Sequence, residues 1–79
     1  MSPTVFHESG FRFFFFSREE SRKHVHVYCS DGEAKFWLEP QIELAKNYRL
    51  SRSQLHTIEQ IIEAHYEQLS DAWEQHFRP

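Results

Sequence analysis

The chain has 79 residues and a formal charge of −3, with eight Phe, three Tyr and two Trp but only two Gly and three Pro. That length makes a single domain, 1–79, near the size where one core barely suffices, and the large aromatics compensate. Sparse Gly and Pro and the lack of any low-complexity run argue against disorder outside the ends, and the lack of an apolar run near 18 residues argues against a membrane-spanning helix.

The charge is unevenly placed. Residues 1–50 hold seven Lys/Arg and seven Asp/Glu, so the whole −3 lies in residues 51–79. An acidic chain is not an obvious nucleic-acid binder, although a local basic patch is compatible with it. The start, MSPTVFHESG, carries no basic-then-apolar leader, and Cys29 has no second cysteine to bridge to. Both point to a cytoplasmic protein.

Thr4–His7 and Phe11–Phe16 read as a hairpin around Ser9-Gly10. Counting outward from that turn pairs Phe6 with Phe13 and Thr4 with Phe15, and on the other face His7 with Arg12 and Val5 with Phe14. Phe13 to Phe16 is a continuous apolar run, as expected of a strand covered on both faces. Ser17–Lys23 is a charged surface loop whose Arg18, Arg22 and Lys23 are candidates for a phosphate or an acidic partner.

His24–Pro40, HVHVYCSDGEAKFWLEP, reads as the central hairpin, because Asp-Gly between two alternating runs is a strong turn signal. With Asp31 and Gly32 as the loop, Cys29 faces Ala34, Val27 faces Phe36 and Val25 faces Leu38 on an apolar side. Tyr28 then faces Lys35, His26 faces Trp37 and His24 faces Glu39 on a polar side. A slip of one residue would exchange the two faces, so the patterning constrains the register.

Pro40 suits the first turn of a short helix, Gln41–Asn47, with Tyr48-Arg49-Leu50 as a linker. Ser51-Arg52-Ser53-Gln54 fits a capping box that opens one long helix running to about His76. Its apolar positions, Leu55, Ile58, Ile62, Tyr66, Leu69, Trp73 and Phe77, are spaced by three and four, with His65 and His76 on or beside the stripe.

These elements predict an α+β domain: an antiparallel four-stranded sheet of two hairpins, with the short helix and the long C-terminal helix on one face. The stripe should cover Phe6, Phe13, Phe15, Val25, Val27, Phe36 and Leu38. Phe14, Phe16, Tyr28 and Trp37 then share the far face with the histidines, where a second copy or a small partner protein is expected to cover them.

His24 and His26, two apart on a strand, point the same way. Zinc would need a third ligand from Glu39, His7 or His65, so no metal or cofactor is assigned. His24, His26, Lys35, Tyr28 and Glu33 supply a base, an acid and a cation, the mix that metal-independent ribonucleases use. Arg18, Arg22, Lys23 and Trp37 would hold a partner or a phosphate. The plainer alternative is a polar sheet face or a subunit interface.

The strand F-R-F-F-F-F-S, then HVHV, then DGEAKFWLEP, then a helix of the form I-x-x-I-I-x-x-H-x-x-x-L-x-x-x-W resemble a bacterial family catalogued as domain of unknown function 4160, over roughly residues 3–77. The resemblance implies a small cytoplasmic protein encoded beside another short reading frame, as in a toxin–antitoxin module. Two functions follow as expectations. One is a toxin-like RNA endonuclease acting through the His24/His26 face and neutralised by a small antitoxin-like protein. The other is a non-enzymatic module that forms a homodimer or docks a partner through its aromatic face.

Overall fold

The computed structural model describes residues 4–16 and 21–77. Five strands come first: β1 (Thr4–Glu8), β2 (Phe11–Phe14), β3 (His24–Cys29), β4 (Gly32–Trp37) and β5 (Glu43–Tyr48). Two helices follow, α1 (Arg52–Ala64) and α2 (Tyr66–His76). The strands form one antiparallel sheet in chain order, β1-β2-β3-β4-β5. The α+β class stands, but the sheet has five strands where four were expected.

The fifth strand is the segment expected to be a short helix, Gln41–Asn47. A helix that short is marginal without tertiary support, because nucleation fixes several dihedrals for a single hydrogen bond. As a strand the segment instead satisfies the outer edge of β4, pairing Glu33 with Tyr48 and Lys35 with Lys46. Asn47 closes the turn into α1, donating from Nδ2 to the Leu50 carbonyl at 3.0 Å and accepting the Leu50 N–H at 3.1 Å.

The first hairpin follows the expected pairs Phe6–Phe13 and His7–Arg12, turning at Ser9-Gly10, both at positive φ. A bulge between Thr4 and Phe6 sets Thr4 opposite Phe14 instead of Phe15. In the central hairpin the loop residues are Ser30 and Asp31, and Cys29 pairs with Gly32. The pairs are therefore His24–Trp37, Val25–Phe36, His26–Lys35, Val27–Ala34 and Tyr28–Glu33, two residues from the expected register. A two-residue shift keeps every side chain on its face, so the apolar pattern could not detect it. Gly32 serves close approach: a Cβ there would collide with the Tyr48 carbonyl oxygen across the β4–β5 pair.

The helical stripe covers the sheet as its periodicity requires. Phe13, Phe15, Val25, Val27, Phe36, Leu38, Ile58, Ile62, Leu69 and Trp73 form one buried cluster, with Phe6, Leu55, Tyr66 and Phe77 packed against it. The capping box is present: Ser51 Oγ accepts from the Gln54 N–H at 3.1 Å, and Gln54 Oε1 accepts from the Ser51 N–H at 2.9 Å. Gln54 Nε2 also donates to Asp31 Oδ2 at 2.9 Å, pinning the β3–β4 turn to the helix start.

The single long helix expected from the stripe is interrupted at His65, between α1 and α2. His65 Nε2 lies 2.8 Å from Glu8 Oε1 on β1, and its ring lies 4.7 Å from that of Phe6. This side chain reaches the first strand, and the helix bends there while the stripe continues.

Lys23 ties the start of β3 to α2, with Nζ 2.7 Å from Glu74 Oε2 and 2.9 Å from Ser70 Oγ. The hydrogen bond to Glu74 holds its ammonium above the ordinary pKa of 10.5, with the charges of Glu74 and Glu39 adding to the effect and partial burial opposing it. A raised pKa contributes stability that is present below pH 10.5 and lost as pH rises through the higher folded value. Alkaline unfolding of Lys23→Met should accordingly lack the part of the pH dependence that the parent shows above that point.

Two further substitutions check the packing. Trp73→Ala should lower unfolding stability by about 3–5 kcal/mol as a core aromatic truncation, read from urea denaturation. A midpoint close to the parent's would refute the position given to α2. Gly32→Ala should cost about 1–3 kcal/mol, because the obstructing atom is backbone and cannot rotate away. A neutral result would show that Tyr48 does not approach β4 this closely.

Candidate functional site

The face of the sheet away from the helices is built in cross-strand rows, because directly opposed residues of paired strands share a face. One row runs Phe14, His26, Lys35, Lys46 across β2 to β5. The next runs Arg12, Tyr28, Glu33, Tyr48. Cations and aromatics are therefore interspersed over a surface whose acidic member in these rows is Glu33. The net negative charge of the chain lies on the helical layer, on the other side of the molecule.

An open groove of about 510 Å³ lies on this face, lined by Phe16, His26, Glu33, Ala34, Lys35, Lys46 and Tyr48. Tyr28 and Tyr48 are 51% and 57% exposed and Phe16 is 40% exposed, large aromatic surface for so small a domain. Phe14, by contrast, is buried under the Arg12 guanidinium, 4.4 Å from its ring, and beside the rings of His26 and Phe16.

The residues singled out from the sequence divide into three groups. His26, Lys35, Tyr28 and Glu33 share the face, in two adjacent rows. His24 does not reach its surface: it is 0% exposed, with Nδ1 2.7 Å from the Arg22 carbonyl oxygen. Its ring lies 4.9 Å from Trp73, 5.6 Å from Trp37 and 5.2 Å from His26. It joins the core to the far face and can act on a ligand only through its neighbours.

The third group is engaged within the fold. The Arg22 guanidinium lies 4.1 Å over the Trp37 ring, donates from Nε to the Glu39 carbonyl at 2.8 Å and approaches Glu43 at 3.9 Å. Lys35 Nζ lies 4.5 Å from the same Trp37 ring. Lys23 is held by Glu74 and Ser70, and its N–H donates to Glu39 Oε2 at 3.1 Å. Arg18 lies outside the described residues. Among the described residues no cluster of three His, Cys, Asp or Glu could hold a metal ion, and Glu39 and His65, two of the proposed third ligands, are engaged by Lys23 and Glu8.

Sequence reasoning missed Lys46 and Tyr48, which line the groove from β5. Their spacing of two was the available signal, since residues two apart share one face of a strand. It was hidden by the helical reading of Gln41–Asn47. Phe16 was placed on this face, but its position as a groove wall depends on the chain leaving β2 at Phe14.

No helix among the described residues is long and apolar enough to cross a membrane. Searches of curated proteins and of solved structures returned no match. The family model described as Domain of unknown function (DUF4160) matches residues 10–74, from the Ser9-Gly10 turn into α2 and including both rows of the far face. With most of its 79 residues inside that match, the chain belongs to this family of proteins with a domain of unknown function.

Proposed function

We propose that the far face of the sheet binds single-stranded RNA, and that the protein is the toxin-like component of a two-protein module. The observation that carries this reading is the pair of adjacent rows, His26–Lys35–Lys46 and Tyr28–Glu33–Tyr48. Exposed aromatic rings offer stacking platforms for unpaired bases, and cations beside them neutralise the backbone. An open sheet face accepts an extended strand more readily than it accepts a duplex.

Metal-independent cleavage of the bound strand would run through His26. It lines the groove beside Lys35 and Lys46, and imidazole is the side chain whose ordinary pKa lies nearest neutrality. His24, buried against His26, is a positioning residue in this scheme. A small antitoxin-like partner that silences the protein would present carboxylates and apolar groups to the same face.

The second reading, a docking or homodimer surface, is favoured by the exposed rings of Phe16, Tyr28 and Tyr48. Self-association through this face would bring Lys35 and Lys46 toward their own copies. An anionic occupant fits that charge better than a second copy does.

Fluorescence anisotropy of a labelled uridine-rich decamer against the purified protein tests the proposal. Lys46→Ala should weaken binding several-fold and lower the slope of log affinity against log salt by about 0.7, one phosphate contact on a single strand. Loss of binding with an unchanged salt slope would count against a phosphate role. No binding by the parent protein, together with a dimeric mass in light scattering, would favour the docking surface instead.

A further inference from the structure

We infer that the far face carries a nucleotide subsite selective for guanine, with Glu33 as the residue that reads the base; this deepens the RNA-binding reading and rests on it. Glu33 sits in register between two exposed tyrosines, Tyr28 on β3 and Tyr48 on β5. A base stacked on either ring lies beside the carboxylate, since neighbouring strands are about 4.8 Å apart. Glu33 lines the groove, and among the described residues no hydrogen bond or ion pair occupies its carboxylate.

The chemistry of an ionised carboxylate decides which base fits. It only accepts hydrogen bonds, through two oxygens side by side. Guanine presents two donors side by side on its Watson–Crick edge, N1–H and the N2 amino group. Cytosine and adenine place a ring-nitrogen lone pair next to their amino group, which a carboxylate repels. Uracil sets its one N–H between two carbonyl oxygens. Guanine alone matches both oxygens, and an unstacked base in a single strand has that edge open.

The neighbouring row completes the subsite. His26, Lys35 and Lys46 lie two residues along the strands, roughly 7 Å away. One nucleotide therefore reaches both rows, its base on the Tyr–Glu–Tyr row and its phosphate toward Lys46. The groove's volume of about 510 Å³ lies in the range that holds small organic ligands.

The test uses labelled uridine decamers carrying guanosine, adenosine, cytidine or uridine at one central position. The parent protein should bind the guanosine decamer about tenfold more tightly than the other three. Glu33→Gln should lose the preference and bind all four alike, with an unchanged melting temperature. Equal binding of the four by the parent, or a guanosine preference that survives in Glu33→Gln, would overturn the subsite and leave RNA binding standing. Guanosine monophosphate binding as tightly as the guanosine decamer would keep the subsite and overturn the RNA reading. Failure to bind any decamer or the mononucleotide would overturn both.

Discussion

The rest of the structure depends on one constraint: the chain supplies a single helical layer for a sheet that has two faces. The stripe Ile58, Ile62, Leu69 and Trp73 removes one face from water by packing on Phe13, Val25, Val27 and Phe36. Nothing in the remaining described residues forms a second layer. The other face has to be solvated, so its alternate positions carry cations, a carboxylate and aromatics instead of aliphatic side chains. The candidate site follows from that asymmetry.

The edges of the sheet are handled separately from its faces. Both outer strands are irregular, β1 between Thr4 and Phe6 and the β4–β5 pair between Lys35 and Phe36. Bulges of this kind twist an edge away from regular pairing and discourage the addition of foreign strands. The far face carries the open groove instead. His24 supports that face from beneath, with its ring among those of Trp73, Trp37 and His26. A change in the core at Trp73 would reach the groove through this contact, alongside Ala34, a core residue that lines it.

The candidate site was partly legible before the fold was known. His26, Tyr28, Glu33 and Lys35 were placed on a common face because strand alternation leaves no other choice. His24 has the same parity and was placed there too. Its burial comes from Trp73, roughly fifty residues away in the chain, and no local pattern announces it. Arg22 and Lys23 looked like phosphate ligands because sequence shows their charge but not the partners Trp37, Glu39 and Glu74 that engage them. Lys46 and Tyr48 were missed because Gln41–Asn47, with its isoleucine, leucine and alanine, suits a helix locally, which leaves Tyr48 in a linker. The edge of β4 decides otherwise.

The sequence by itself determined the α+β class, the turn and inner pairs of the first hairpin, the faces of β2 to β4, the capping box at Ser51 and the apolar stripe. All of these rest on interactions within a few residues or on periodicities of two and 3.6. Only the tertiary structure decided the register of the central hairpin, since a shift of two conserves the faces and escapes any pattern. It also decided the strand at Glu43–Tyr48, whose conformation is set by β4, and the bend at His65, where a side chain reaches β1. Those three outcomes rest on contacts between residues distant in the chain. Two of them set the register of Tyr28 against Glu33 and bring Tyr48 and Lys46 beside Glu33 and Lys35, which makes the face a groove.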